Sequence, residues 1–323
     1  MLRLYPELLW AAIPPLLLLI YYYGRVFTAP SLLRLLLFFA IGAISGFVAL
    51  SLEFVVETQI NSWASWRAIR HTLTGIALRQ LIEVGPIEEG CKLVAVVVPI
   101  WYFQRRYRLR PSTIFLFIIA VALGFTAQEN WIYLFNDTAS IFERAIGTPV
   151  HAMFSAPWGY ALGLSVGLNI NLRQSTPSIP KAWLNSVICH ALVNVLSSAW
   201  RYPEPLPLLS YGLFPFLLWM FWRLEQLLRK IQRKAVISLI SGHTPQHRFW
   251  QRGLVIFALM LGGNAIFGLF LLIRSLSIFS PSQLFYPNTL WFILSRFLLN
   301  LMFGLVAWKI YDYLRQRGRS HYF

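Results

Sequence analysis

The sequence predicts an all-α protein, a polytopic transmembrane helical bundle of about nine spans. Hydrophobic residues make up 57% of the 323-residue chain, and charged residues only 12%. Soluble domains carry about 25% charged residues, so this composition indicates an integral membrane protein. Nine apolar runs approach the roughly 20 residues that a helix needs to cross a bilayer. We place them at residues 8–23, 32–52, 84–103, 112–135, 150–171, 182–200, 206–222, 253–275 and 289–311.

The net charge of +16 lies mostly in basic clusters just beyond the predicted spans. Because these clusters follow the odd-numbered spans, the positive-inside rule places the N-terminus outside and the C-terminus in the cytoplasm. We expect the clusters to bind anionic lipid headgroups, and we expect no nucleic-acid partner. They comprise Arg105, Arg106, Arg108 and Arg110; Arg173 and Lys181; Arg223, Arg229, Lys230, Arg233 and Lys234; and Arg315, Arg317 and Arg319.

The first 83 residues hold two spans and a segment of mixed polarity. The first apolar run has no small-residue cleavage site and contains two prolines, so we expect a retained, kinked span rather than a signal peptide. Glu53, Glu57 and Glu83 lie at span boundaries, where solvated or interfacial carboxylates are expected. The segment 62–82 mixes tryptophan and arginine with apolar residues, which is typical of a helix on the membrane surface.

The stretch that ends at Lys92 places two adjacent carboxylates, Glu88 and Glu89, at the start of an apolar run. A charged side chain inside a span costs about 2.5–3.5 kcal/mol or more, so such residues often mark function. Pro86 suits the first helical position, where acids also interact favourably with the helix dipole, and a helix start alone would explain the pair. Lys92 lies within one turn of both acids. We therefore expect it to pair with one carboxylate and leave the other free to act.

Two further polar side chains lie on the next two predicted spans. Glu129 is inside span 112–135, and no basic residue of the same helix can reach it. It is therefore either a catalytic residue or a structural carboxylate that is protonated or hydrogen-bonded to a neighbouring helix. His151, Ser155 and Gly159 are four residues apart and share one helical face. Glycines continue this face at the same spacing, which indicates a close helix contact. Taken alone, a histidine such as His151 is more often a surface or packing residue than a ligand.

The sixth predicted span carries His190 and Asn194, one helical turn apart and therefore directed to the same side. A histidine in the middle of an apolar run favours a functional role. Cys91 and Cys189, the only cysteines, both fall within predicted spans, so no disulfide framework is expected. Their small side chains suit helix packing, although a thiolate ligand is also conceivable.

The remainder of the chain reads as accessory. Residues 223–252 are basic, with leucines at helical spacing, which predicts a cytoplasmic amphipathic segment on anionic lipid. The last two spans contain Arg274 and Arg296 but no acid or histidine. We divide the chain into residues 1–74, with the N-terminal spans and surface segment; 75–203, the catalytic membrane core; and 204–323, the accessory spans with the basic loop.

Carboxylates and imidazoles activate water, either directly as a general base or by holding a metal ion that lowers the pKa of bound water. Glu129, His151 and His190 could bind Zn²⁺ or another divalent ion, with a second glutamate as base. A metal-free site would use a glutamate and a histidine, with Asn194 or Asn130 donating to the oxyanion. The sequence leaves both mechanisms open. The candidate catalytic residues are Glu88, Glu89, Glu129, His151, His190 and Asn194.

Four ordered motifs lie on successive predicted spans. They are Glu88-Glu89-x-x-Lys92, Phe125-x-x-x-Glu129-Asn130, His151-x-x-x-Ser155 and His190-x-x-x-Asn194. Together they resemble the motifs of PrsW-type intramembrane proteases, a family within the wider group of CAAX-processing and bacteriocin-immunity-like membrane peptidases. The resemblance covers roughly residues 75–200.

The resemblance implies proteolysis of a single-span, membrane-anchored substrate at the extracytoplasmic side of a bacterial cytoplasmic membrane. In the family's namesake that substrate is an anti-sigma factor. It also implies that Glu88 and Glu89 are the essential acid pair, with Glu129, His151 and His190 completing the site.

A proton- or ion-coupled transporter is the alternative, because it would also place acids and histidines inside spans. It requires a path to both membrane faces and symmetry between halves, and we find no internal repeat. A shared hydrolytic site has one difficulty: His190 lies about ten residues, or roughly 15 Å, from the outer end of its span, deeper than His151 by simple counting. One site therefore requires tilted helices or a recessed start of the fifth span.

Overall fold

A computed structural model of the chain describes residues 4–27, 29–167, 178–276, 279–280 and 282–319. Within these ranges the secondary structure is helical, with no strand, which confirms the all-α class. Arg173, from a predicted basic cluster, lies outside the described ranges. The α-helices are α1 (Leu4–Arg25), α2 (Leu32–Ile60), α3 (Ala64–Ile69), α4 (Leu73–Arg79), α5 (Gly85–Arg106), α6 (Pro111–Phe135), α7 (Ile141–Gly147), α8 (Val150–Gly167), α9 (Ile179–Ser198), α10 (Leu213–Ile231), α11 (Pro245–Leu276) and α12 (Pro287–Arg319).

Six helices in the described part of the chain are long and apolar enough to cross a membrane, namely α1, α2, α6, α9, α11 and α12. The protein is therefore a polytopic integral membrane protein, but the expected count of nine spans is not confirmed. The other three expected spans fall on α5, α8 and α10. The α5 helix carries the charges of Glu88, Glu89 and Lys92. The α10 helix has 19 residues, and the expected span 150–171 extends past Gly167, where the described part of α8 ends.

The seventh expected span, residues 206–222, is wrong as drawn. Leu206–Gly212 forms a 3₁₀ helix, and α10 begins only at Leu213. Pro207 lacks a backbone N–H and its ring disfavours a continuous α-helix at this point. The apolar run therefore begins with this 3₁₀ segment. The α-helix that follows extends nine residues beyond the expected end, to Ile231.

The basic stretch 223–252 is not one amphipathic surface segment. Its first part is the C-terminal half of α10, in which Leu224 and Leu228 are buried. Residues 232–244 form turns and irregular structure, and α11 begins at Pro245. Leucines at helical spacing mark an apolar face, and here that face packs on protein instead of lipid.

The α6 helix is the centre of the first compact unit, which comprises Met1–Val195 and Arg223–Ala235. Every residue from Ser112 to Gln128 is buried, and α1, α2, α5 and α8 pack around the helix. A helix that is apolar on all sides is stable when other helices cover it. Because α5, α6 and α8 all carry candidate residues, this packing brings their polar faces together.

Glycines set the close approach between the helices around α6. A Cβ added at Gly124 would overlap the backbone carbonyl oxygen of Phe39 on α2, and Gly42 faces the α6 backbone in the same way. On α8, a Cβ at Gly159 would lie 2.9 Å from the side chain of Ile118. The small-residue stripe predicted on this helix therefore does contact another helix. In membranes such positions allow backbones to pack closely.

Replacing Gly124 with alanine is expected to lower the free energy of unfolding by about 1–3 kcal/mol, because α2 and α6 must move apart to admit the methyl group. The measurement is thermal unfolding of the purified protein in detergent. Gly90→Ala on α5 is the matched control, since a Cβ there meets no heavy atom within 4 Å. Alanine has the higher helix propensity, so this variant should keep or raise the Tm. Equal Tm shifts in the two variants would contradict the close contact.

The segment before α5 folds back onto the end of α2. The expected surface segment 62–82 consists of the short helices α3 and α4, followed by a π-helical turn, Gln80–Val84. Arg79 donates to Glu57 of α2 at 2.9 Å and lies 3.6 Å from Glu83. The expectation of a solvated Glu83 is wrong, because only 3% of this residue is exposed. Its burial is compensated by the neighbouring guanidinium group.

The second compact unit comprises Leu196–Trp222 and Val236–Phe323. Within it α11 and α12 pack along each other. Gly268 of α11 faces the side chain of Asn300, which is buried. The functional regions predicted from the sequence have different boundaries from these two units, and they stay a prediction.

Candidate active site

The start of α5 turns its two acids into the protein. The α4 helix runs without a break through the π-helical turn into α5, so the acids follow the helical backbone of residues 73–84 instead of opening a helix. Gly85 sits at the junction, where an added Cβ would lie 2.7 Å from the carbonyl oxygen of Gln80. Turns of this kind are frequent at functional sites. As a result Glu88 is 8% exposed and Glu89 fully buried.

Lys92 is the centre of the polar cluster. Its Nζ donates to Glu88 Oε2 at 3.2 Å and to Glu89 Oε1 at 2.9 Å. It also lies 2.8 Å from His151 Nδ1 and 4.0 Å from the centre of the Phe125 ring. The expectation that Lys92 would pair with one acid and leave the other free is therefore wrong. A fully buried ammonium group needs several partners, and this one has two carboxylates, an imidazole and an aromatic face.

Glu89 is held on both carboxylate oxygens. Besides Lys92 at Oε1, its Oε2 accepts hydrogen bonds from Ser155 Oγ at 3.1 Å and Trp158 Nε1 at 2.9 Å. Ser155 lies on the α8 face predicted from its spacing to His151. Trp158 was not predicted, although it stands seven residues after His151 and so lies on the same face. Three donors fix the orientation of this carboxylate.

His151 connects the lysine to Glu129. Because an ammonium group can only donate, His151 Nδ1 accepts from Lys92, and the neutral ring then carries its proton on Nε2. That nitrogen lies 2.8 Å from Glu129 Oε2, to which it donates. Arg144 of α7 donates to the same oxygen at 2.7 Å, and also to Asn130 at 2.6 Å. No basic residue within α6 can pair with Glu129, and Arg144 of α7 provides the basic partner instead.

His190 of α9 joins the same cluster. Its Nε2 lies 3.9 Å from Glu88 Oε2 and its Nδ1 lies 3.9 Å from Glu89 Oε1. The ring stacks on Phe154, with centroids 4.5 Å apart, and its centroid is 5.9 Å from that of His151. The difference in depth between the two histidines, expected from counting residues, therefore does not separate them.

Five of the six predicted site residues thus lie together, and Asn194 has a different neighbour. Its Nδ2 donates to Gln80 Oε1 at 2.8 Å, which ties α9 to the turn before α5. The members of the cluster that the sequence did not single out are Arg144, Phe154 and Trp158. Of these, Arg144 could have been placed on a helix from the sequence, because the capping box of Ser140 and Glu143 marks the start of α7.

The fold and the cluster define a class: an integral membrane protein whose helices enclose acids, a lysine and histidines in one ionisable site. The chain belongs to the PrsW family of intramembrane metalloproteases, because the family model matches residues 30–220. The protease PrsW of Shouchella clausii (strain KSM-K16) is 26% identical over 156 residues, which cover 47% of this chain and 66% of that protein. The match thus spans just under two thirds of the relative's length. No solved structure matches the chain at a significant level.

The family description raises the question of a metal ion. A zinc ion requires three or four donors at about 2.0–2.3 Å from one point. In this site Lys92 faces one nitrogen of His151, and the other nitrogen donates to Glu129. Among the described residues, no group of three histidine, cysteine, aspartate or glutamate side chains is arranged to hold a metal ion. The proposed ligand set of Glu129, His151 and His190 does not fit a metal in this arrangement, and no step is assigned to one.

Proposed function

We propose that this protein is an intramembrane endopeptidase that hydrolyses a membrane-anchored protein near the extracytoplasmic face of the bacterial cytoplasmic membrane. The observation that carries the proposal is the gathering of glutamates and histidines around Lys92, inside the helices of a chain from a protease family. The substrate class that we propose is a single-span protein of the anti-sigma-factor kind. The outward location of the site rests on the distribution of basic residues.

Glu88 is the general base in this proposal. Glu89 has donors on both oxygens, whereas the contacts described for Glu88 all involve Oε2. The Glu88 side chain is 11% exposed and that of Glu89 is fully buried, so Glu88 is the carboxylate that a water molecule can reach. A general base acts within hydrogen-bond reach of the proton that it removes, which Oε1 of Glu88 can satisfy.

The reaction then proceeds in two steps. Glu88 takes a proton from water as the water oxygen bonds to the peptide carbonyl carbon, which gives a tetrahedral oxyanion. The C–N bond then breaks, and the Glu88 carboxyl group returns the proton to the leaving amine. We propose His190 as donor to the oxyanion, because its ring is positioned by Phe154 beside Glu88. The amide of Asn130 is already bonded to Ala11 and Arg144, so it is less suited to that role.

The other members of the cluster hold this arrangement. Lys92 compensates the charge of both acids, since a buried carboxylate without a partner costs several kcal/mol, about 3–5 when a pair is broken. Glu129, fixed by Arg144, accepts from His151 and so sets the ring orientation that presents Nδ1 to the lysine. These residues position the base and do not touch the substrate.

The proposal is tested in bacterial cells that express the protein, by mass-spectrometric mapping of new N-termini among their membrane proteins. We expect the wild-type protein to produce new N-termini near the ends of transmembrane segments. The double variant Glu88→Gln, Glu89→Gln should produce none, because neither amide can take a proton from water. Glu57→Gln is the matched control, since Glu57 is also an acid paired with a base, and it lies outside the cluster.

Two results would count against this function or its mechanism. The same new N-termini in cells with the double variant would overturn the protease assignment. If EDTA abolishes cleavage by the purified protein and Zn²⁺ restores it, the mechanism without a metal would be wrong while the protease assignment stands.

A further inference from the structure

An apolar groove of about 580 Å³ lies between α2 and α5. Its α2 wall runs from Ile41 to Leu52, and its α5 wall runs from Pro86 to Ala95. Several side chains of these walls face outward from the helical unit; Ile44, for example, is 63% exposed. The groove is therefore open along its side, toward the hydrocarbon that surrounds a membrane protein.

One end of the groove lies at the candidate active site. The contact between Arg79 and Glu57 places the C-terminal end of α2 beside the segment that leads into α5. The two helices therefore run in opposite directions along the groove, and Leu52 lies at the same end as Pro86. Glu88 follows Pro86 by two residues, within the same turn of α5. Whatever occupies the groove thus ends close to the proposed base.

The dimensions of the groove fit part of a transmembrane helix. Its walls extend over ten to twelve residues of each helix, or about 15 Å at 1.5 Å per residue. This is roughly half of the 30 Å hydrocarbon thickness, so one end of a spanning helix would lie in the groove while the other half contacts lipid.

The lining favours a helix over an acyl chain. Small residues permit close backbone approach between helices in a membrane. The α5 wall presents Gly90, Cys91 and Ala95, and the α2 wall contains Ser45. Elsewhere in this unit, glycines such as Gly124 are in contact with another helix, whereas a Cβ at Gly90 would meet nothing within 4 Å. The surface of α5 at Gly90 is therefore accessible for close packing against another helix.

We infer that the groove between α2 and α5 binds the transmembrane helix of the substrate, with the end of that helix at Leu52 and Pro86. The chain that continues beyond the helix then reaches Glu88, where it is cut. The inference rests on the proposed function, because the occupant is its substrate. It adds the surface by which a membrane-anchored protein is selected and the end of that protein that is cleaved.

Native Cys91 provides the test, since it lines the groove and is a free thiol. We would use the variant Glu88→Gln, Cys189→Ala, which keeps Cys91 as its only cysteine and does not cut. The probe is a single-span test protein with a leucine- and alanine-based helix of about 20 residues and one cysteine moved along it. After oxidation in lipid vesicles, we expect disulfide cross-links every three to four positions along the test helix. They should be confined to the half of that helix next to its extracytoplasmic end.

The control moves the thiol to a different lipid-facing position. Ile20→Cys on α1, in a Cys91→Ala, Cys189→Ala background, is suited to this because Ile20 is 62% exposed. We expect cross-linking through Cys91 to exceed this control at least fivefold. Cross-links through Cys91 that are as weak as those of the control, or that show no helical periodicity, would overturn the inference. They would indicate that lipid occupies the groove. Cross-linking requires no hydrolysis, so this failure is separate from failure of the proposed function.

A second variant tests the groove by cleavage. Gly90→Leu fills open space and raises helix propensity, so the protein should fold normally. We expect it to lower cleavage of the membrane proteins identified by their new N-termini at least tenfold. Gly253→Leu, at another glycine with open space, lies on α11 and is the control that should retain cleavage. Unchanged cleavage by Gly90→Leu would contradict a helix in the groove.

Discussion

A Glu88→Gln variant is expected to lower kcat/KM by about 10²–10⁴, the usual contribution of a general base, while the Tm changes little. Glutamine has the same shape and its carbonyl oxygen can still accept from Lys92, but it cannot take a proton from water. The charge of Lys92 remains compensated, since Glu89 lies 2.9 Å from its Nζ. The measurement pairs cleavage kinetics in proteoliposomes with thermal unfolding of the same preparation.

Glu89→Gln is the informative comparison, because both acids are adjacent and both contact Lys92. Glu89 is fully buried and accepts from Lys92, Ser155 and Trp158, so removing its charge should lower the Tm as well as the activity. If Glu88→Gln retained wild-type kcat/KM, Glu88 would not be the base. If Glu89→Gln lost all activity with an unchanged Tm, that role would pass to Glu89.

Lys92→Met is expected to reduce the free energy of unfolding by about 3–5 kcal/mol, the cost of leaving buried charges without their partner. Methionine fills a similar volume, so the effect reports the charge and not a cavity. The side chain is fully buried, and its removal would leave Glu88 and Glu89 without their shared cation. The loss would be measured as the decrease in Tm and in the denaturant midpoint of the purified protein.

A double variant separates charge from shape in this prediction. Lys92→Met combined with Glu89→Gln removes one of the two uncompensated carboxylates, so it should recover part of the lost stability. Lys181→Met is the matched control, because Lys181 is an exposed lysine on α9. A decrease in Tm that is the same for Lys92→Met and Lys181→Met would show that the buried ammonium group does not stabilise the fold.

Features that lie within a single helix were predicted correctly from the sequence. Apolar runs of sufficient length located α6 and α9 closely, because burial in a membrane requires an unbroken apolar surface. The spacing of His151, Ser155 and Gly159 predicted a shared face, and that face contacts Glu89 and α6. The catalytic roles assigned to these residues stay predictions, and the experiments above address them.

Relations between helices were not visible in the sequence. The contact of Lys92 with His151 joins residues 59 positions apart, and Arg144 reaches Glu129 from a separate short helix. Glu83 was expected at the surface because it lies at the boundary of a predicted span and not within an apolar run. In the structure, the π-helical turn before α5 buries it beside Arg79. Such contacts depend on how helices tilt and pack, and periodicity within one helix carries no information on that.

The chain of contacts from Arg144 through Glu129, His151 and Lys92 to the acid pair determines the charge balance of the site. With both imidazoles neutral, three carboxylates face two cations, which leaves one net negative charge. When Glu88 accepts a proton from the attacking water, these side chains become electroneutral and the negative charge passes to the carbonyl oxygen of the substrate. Hydrolysis would then relocate a charge that is already buried, and the membrane interior would not have to accommodate a new one.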